Sequence, residues 1–226
     1  MPLPPDAHDV YRTDDPPEDG PRARKHELVR ETKRAIEDIA LLDVERTDMD
    51  ELDALVEAAR RLADRLAPLP SLREKGGPAM AGGPDAALLE RSGITGRSNP
   101  LAAPLHLWSD GELTRGWAVY RAPYEGPPGC LHGGFVAAAF DDLLGWAQMA
   151  SGKAGFTGTL TIKMRRPTPL EERIDYEAGV DRVQGRKIWC WGKARCGSQL
   201  LAEAEGLFIS PAVPWPGLEG MDRLTR

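Results

Sequence analysis

The chain has 226 residues, 41% hydrophobic and 28% charged, with a net charge of −6 at pH 7. Those values are near ordinary globular ones and the charge is acidic, so wholesale disorder and a nucleic-acid coat protein are disfavoured, and no apolar run reaches the roughly 18 residues that a membrane helix needs. Three cysteines (Cys130, Cys190 and Cys196) form no disulfide framework and fit a reducing cytoplasm.

The first half differs from the second. Of the 14 aromatic residues only Tyr11 precedes residue 100, so the main core is expected in the second half. The opening Met1-Pro2-Leu3-Pro4-Pro5-Asp6 has neither a basic n-region nor an apolar h-region, and no signal peptide is expected. Residues 1–21, rich in Pro, Asp and Glu, read as a flexible tail. Leu28, Thr32, Ile36, Ile39 and Leu42 then recur at helical spacing, and a second stripe runs through Leu52, Leu55, Val56, Ala59, Leu62, Ala63 and Leu66. Asp48 with Glu51 is a plausible N-cap pairing for the second helix, and Pro68 and Pro70 stop it. Residues 22–70 are therefore expected to form a helical hairpin with one apolar face, packed on the main domain or on a partner subunit. Residues 71–102 carry Gly76-Gly77-Pro78 and Gly82-Gly83-Pro84 and read as a linker or a long surface excursion.

From Ala103 the texture changes. Leu105–Trp108 and Leu113–Arg121 flank Ser109-Asp110-Gly111 as a hairpin. After Gly126-Pro127-Pro128-Gly129, the apolar stretch from Phe135 to Ala150 is long enough for a buried helix of about four turns, closed by Gly152 and Gly155. Period-two alternation follows at Phe156–Arg165 and Ile174–Asp181, then Lys187–Arg195 and Leu200–Ser210 complete an antiparallel meander. The fold class is α+β: residues 103–211 form an antiparallel sheet wrapped around a long central helix, followed by a tail at 212–226.

The chemistry concentrates at the start of that helix. His132-Gly133-Gly134 opens it, where unpaired N–H groups and the helix dipole can polarise a carbonyl and stabilise an oxyanion. Asp141 lies mid-helix among apolar residues, where a carboxylate needs a partner, water or a function; the alternative is a solvent-facing pair with Asp142. Asp141 is eight residues beyond Gly133, which separates the two by about 12 Å along one helix, whereas reacting groups must come to about 3–3.5 Å. If both act in one reaction, two antiparallel copies of the helix must meet across a two-fold axis.

The segment resembles the hotdog-fold acyl-CoA thioesterases of the PaaI-like and thioesterase-superfamily-member types. His132-Gly133-Gly134 with Asp141 nine residues after His132, Thr157 at the start of the next strand, Arg166-Pro167 after it and the Gly185-Arg186-Lys187 turn carry the resemblance, over about residues 104–210. It implies an acyl-CoA hydrolase that needs no cofactor and works as a homodimer or dimer of dimers. In that reading Gly133, with Gly134, holds the thioester oxygen. Asp141 of the other subunit activates water or attacks, Thr157 orients the water or Asp141, and His132 shapes the loop and bonds the substrate. The first hundred residues lie outside the resemblance, and the acyl chain is not readable.

Charge fits an anionic ligand: residues 160–196 hold nine Lys or Arg against five Asp or Glu. Arg165, Arg166, Arg186 and Lys187 are the candidates for CoA phosphates, with a charged strand edge as the alternative. Neither a GxxxxGK loop nor a G-x-S-x-G elbow is present, and Cys130 with His132 lacks a second metal-ligand pair. A non-hydrolytic acyl-CoA-binding or regulatory module on the same fold is the main rival, and a hotdog dehydratase the weaker one.

Overall fold

The computed structural model describes residues 19–83, 88–110 and 112–212, so both expected tails lie almost wholly outside it. The strands are β1 (Leu105–Ser109), β2 (Leu113–Val119), β3 (Phe156–Met164), β4 (Arg173–Gln184), β5 (Lys187–Cys196) and β6 (Gln199–Ile209). They form one antiparallel sheet in the order β1-β2-β4-β5-β6-β3. Alternation sets the faces: Ile174, Tyr176 and Ala178 turn into the core while Asp175 and Glu177 turn out.

The pairing departs from the expected meander in one respect. β4, β5 and β6 are a meander, but β3 pairs with β6 at the far edge and β2 takes the place beside β4. The cause is the long helix between β2 and β3, which crosses the sheet and delivers the chain to the opposite edge. Main-chain bonds from Arg165 and Arg166 to the Leu201 carbonyl, at 2.8 and 3.0 Å, hold the end of β3 there.

The helix that crosses the sheet spans Gly133–Ala147; its 15 residues make about 22 Å. A 3-10 turn at Gln148–Ser151 extends it, and Gly152, at φ 70°, closes it. Phe140, Leu143 and Leu144 are fully buried on its sheet side, against Ile174, Ile188, Leu201 and Phe208. Two strand glycines set how closely it approaches. A Cβ at Gly192 would lie 3.0 Å from Leu144 Cδ2 and 3.2 Å from Phe140, and one at Gly206 would lie 3.0 Å from Leu144 Cδ1. This is the hotdog fold. The helix is not covered all round, however: Gly134, Ala137, Ala138, Asp141 and Gly145 share a face that is exposed or half-exposed in the single chain.

The outer face of the sheet is solvated by a charge ladder. Arg115, Glu177, Lys193, Glu203 and Lys163 stand side by side on five neighbouring strands with alternating sign. Arg115 donates to Glu177 at 2.6 Å.

The N-terminal part comprises α1 (Gly20–Ala40), α2 (Met49–Leu66) and α3 (Leu88–Arg91); the central helix is thus α4. α1 starts inside the expected tail. Asp48 caps α2, but its side chain accepts from the Asp50 N–H at 2.8 Å. The expected apolar contacts are not made within one chain. Leu28, Ile36 and Ile39 of α1 and Leu42 just after it are exposed, and α2 buries no side chain. α1 is seated instead by its other face, where His26 and Val29 are buried. His26 Nε2 meets Glu90 Oε2 at 2.8 Å, Arg22 reaches the same oxygen at 3.4 Å, and Ser98 donates to it at 2.5 Å.

Residues 71–102 likewise differ from a plain linker. Their glycine-rich first part folds into 3-10 turns at Leu72–Lys75 and Pro78–Met80, with Gly76 and Gly77 at positive φ. Their second part is packed, with Glu90, Ser92, Thr95 and Ala102 buried. Among the described residues no helix is long and apolar enough to cross a membrane.

Burial pushes the Glu90 carboxyl up. Hydrogen bonds from Ser98 and His26, and the charges of His26 and Arg22, outweigh it, leaving the group below the usual carboxylate range. A depressed carboxyl stabilises the fold above its unfolded pKa and loses that contribution as pH falls through the folded value. Acidification from about pH 4.3 downward should therefore raise amide exchange in α1 while the sheet stays protected. Glu90→Gln should show raised exchange in α1 already at neutral pH, and a flat α1 profile in both proteins would contradict the anchor. In the core, Gly192→Leu should cost about 1–3 kcal/mol in urea unfolding, because Leu144 and Phe140 have no room to withdraw.

Candidate active site

The loop before α4 is held by main-chain bonds. Gly126 N–H donates to Cys130 O (2.9 Å), Leu131 N–H to Thr168 O (2.8 Å) and His132 N–H to Tyr124 O (2.9 Å). Glu125 accepts from the Gly129 N–H at 2.6 Å, and Gly129 sits at φ 71°. Gly126 leaves no space for a side chain: a Cβ there would lie 2.7 Å from His132 Cα.

His132 is thereby fixed as the N-cap of α4, at φ −62° and ψ 134°. Its Nδ1 accepts from the Gly134 N–H at 3.0 Å, and its carbonyl accepts from Phe135 at 2.9 Å and Val136 at 3.3 Å. A ring whose Nδ1 accepts carries its proton on Nε2 when neutral. The Gly133 N–H finds no acceptor among the described residues. The two glycine amides, alike in the sequence, therefore differ. Gly134 is engaged by its own cap, and Gly133 is open at the positive end of the helix.

A second group of residues lies two turns along. Asp141, expected to need a partner, water or a function, is exposed in the single chain. Thr157 Oγ1 donates to Asp141 Oδ1 at 2.9 Å. The register of β3 against β6 shifts between Thr157 and Thr159, and such a bulge re-aims a strand side chain. Asp142 does not pair with Asp141 in solvent. It points the other way and accepts from Thr95 (2.8 Å) and Ser92 (2.9 Å) of the segment before β1. Burial pushes its carboxyl up, against those two hydrogen bonds. No sequence pattern marked Ser92 or Thr95, because they meet Asp142 across 50 and 47 residues.

Gly133 and Asp141 stay about 12 Å apart along α4. The rest of the candidates divide the same way. Gly133 lies near Met164 at the end of β3, where a Cβ would be 3.4 Å from Met164 Cε. Arg165 and Arg166 follow directly, both exposed, and Arg165 is paired with Glu203 at 3.0 Å. Arg186 and Lys187 stand at the other end, since Lys187 is level with Ile209 and Ile209 with Phe156. Lys153, not marked in the sequence, donates to the Gly185 carbonyl at 2.9 Å and adds a cation there. The two basic pairs are thus about 27 Å apart along β3 in one chain.

Of the four rings Trp108, Trp117, Trp146 and Phe135, Trp108 and Trp146 are buried in the body. Trp117 faces outward, stacked on His106 at 4.3 Å. Phe135 alone is beside His132, 6.5 Å between centroids, with Tyr124 at 4.9 Å from it. Among the described residues no group of three or more His, Cys, Asp or Glu could hold a metal ion. Burial pushes the Cys190 thiol up to about 12, so it is no nucleophile.

No family model matches the chain. The crystal structure of a thioesterase superfamily protein is 30% identical, with a TM-score of 0.70, over 86% of this chain and 97% of that one. This chain belongs to the thioesterase superfamily. The likeness reaches well beyond the sheet and α4, so the N-terminal part of this superfamily member is no isolated addition. Bovine acyl-coenzyme A thioesterase THEM4 is 38% identical over 90 residues, 38% of this chain and 37% of that protein. The Xenopus laevis THEM4 is 34% identical over 90 residues, 40% of its length. The matched stretch is thus two fifths or less of these curated relatives.

The cap geometry is open to direct test. In wild type, nitrogen NMR of the neutral His132 ring should show an unprotonated Nδ1 and a protonated Nε2. Gly126→Ala should displace His132, shift the Gly134 amide resonance and leave the sheet resonances in place. An unchanged Gly134 amide would mean that Gly126 does not position the cap.

Proposed function

We propose that the protein hydrolyses acyl-CoA thioesters at sites shared between two subunits of a homodimer. The observation that carries this reading is the pairing of an open Gly133 N–H at one end of β3 with a Thr157-oriented Asp141 at the other. Neither half suffices for thioester cleavage, and each lacks what the other has. The edge of the sheet favours the assembly. β3 is paired on one side only and exposes Phe156 and Met164, while the small-residue face of α4 leaves room for a second helix. An antiparallel arrangement of two β3 edges about a two-fold axis would carry Gly133, Arg165 and Arg166 of one subunit to Asp141, Thr157, Arg186 and Lys187 of the other.

In the shared site the Gly133 N–H and the positive end of α4 would hold the thioester oxygen as negative charge develops on it. Thr157 occupies Asp141 Oδ1 and leaves Oδ2 for chemistry. Asp141 then takes a proton from water, which attacks the carbonyl carbon; direct attack by the carboxylate, followed by hydrolysis of the anhydride, uses the same atoms. The C–S bond breaks and CoA leaves as thiolate, which is protonated to the thiol. The His132 Nε2–H is free to donate to the substrate, and the basic pairs flank the site for phosphates.

Asp141→Asn should lower kcat on a panel of acyl-CoAs by about 10²–10⁴-fold. Mixing inactive Gly133→Asp and inactive Asp141→Asn subunits should restore activity, because each hybrid dimer contains one intact site. Hybrids proven by mass that stay inactive would overturn the shared site. Acyl-CoA binding without release of thiol for any chain length would overturn hydrolysis in favour of a binding module.

A further inference from the structure

α1 does more than pack. Between it, β2 and the turn at Ala122–Tyr124 lies a cleft of about 360 Å³. Four cations line it, Arg30, Lys33, Arg34 and Arg121, against one carboxylate, Glu37. This concentration of positive charge occurs in a chain of net charge −6. Arg34 is engaged by Glu31 at 3.0 Å, and Arg121 by Glu37 at 3.3 Å. Arg30 and Lys33 meet no carboxylate among the described residues.

Lys33 is the telling residue. It is half-buried, and burial lowers its ammonium pKa with no acid to offset the loss of water. Desolvation, and then the charges of Arg97 and Lys33, also lower the pKa of His106 on β1, so the positive field extends past the cleft itself. An unpaired ammonium among guanidinium groups is unfavourable unless an anion joins them. A single carboxylate would match only one of the two cations, Arg30 and Lys33, that lack an acid. A phosphate or diphosphate matches both the charge and the planar forks of arginine.

The cleft also adjoins the chemistry. Tyr124 forms part of its wall, and the carbonyl of the same residue accepts the His132 N–H at 2.9 Å. The ring of Tyr124 meets Phe135 of α4.

We propose that the α1 cleft binds a phosphate or diphosphate group through Lys33 and Arg30, with Arg34 and Arg121 at its rim. The group is either the diphosphate of the CoA substrate, in which case this inference rests on the function proposed above, or that of a separate phosphorylated molecule.

The test uses the full chain and the double variant Lys33→Gln/Arg30→Gln, with Lys193→Gln on the outer face of the sheet as a charge control. Calorimetry with inorganic pyrophosphate and with ADP should show binding that weakens at least tenfold in the double variant and not in the control. Lys33→Arg should retain binding, and thermal melts identify any variant that fails to fold. Steady-state KM for an acyl-CoA and for the matching acyl-pantetheine separates the two sources. A tenfold rise for the acyl-CoA alone assigns the cleft to the substrate's own phosphates. Lost pyrophosphate and ADP binding with both KM values unmoved assigns it to a separate phosphorylated ligand. Wild type binding pyrophosphate and ADP no better than the double variant, with unchanged KM for both substrates, overturns the site. If wild type hydrolyses no thioester, the proposed function fails, while the calorimetric arm still decides the cleft.

Discussion

A long helix can lie in the hollow of a sheet only where the strands beneath it leave space, and here that space is made by Gly192 and Gly206 under Phe140 and Leu144. Everything at the candidate site follows from that seat. It fixes the rotation of α4, so Asp142 turns toward Ser92 and Thr95 while Asp141 turns outward to Thr157. It also fixes which end of α4 meets which end of β3, and so separates the open Gly133 amide from the carboxylate by a distance no rotamer can close. The proposed shared site would reconcile these residues with one reaction.

The N-terminal part obeys a different rule. Its attachment is polar: one buried carboxylate, Glu90, gathers His26, Arg22 and Ser98. Such a cluster holds its elements in one geometry, because a buried charge with a partner removed is costly. Its apolar stripes are then free to face outward, and its basic groups line a cleft next to the loop that positions His132.

Much of the sheet domain was legible in advance. Period-two alternation located the strands to within a few residues, and glycine and proline located their ends. The order of strands was not, because alternation says which face a residue takes and nothing about which neighbour it takes. β3 went to the far edge through the path of α4, a tertiary fact. The helices of the first hundred residues were also legible as helices. The face that seats α1 on its own chain was not: hydrophobic periodicity pointed to Leu28, Ile36 and Ile39, whereas within one chain α1 is seated through His26, whose partner Glu90 lies 64 residues away. A polar contact of that separation leaves no periodic trace.

At the site the division is equally clear. The sequence alone determined the chemistry available: a glycine-opened helix start, a carboxylate two turns later and a threonine at the next strand, because these depend on residue type and on the fixed rise of a helix. Only the tertiary structure decided how they are arranged. It closed the Gly134 amide with the His132 ring and left Gly133 open, aimed Thr157 at Asp141 through a strand bulge, and parted the four basic candidates into two pairs. Those outcomes rest on contacts between segments distant in the chain, and local spacing carries no information about them.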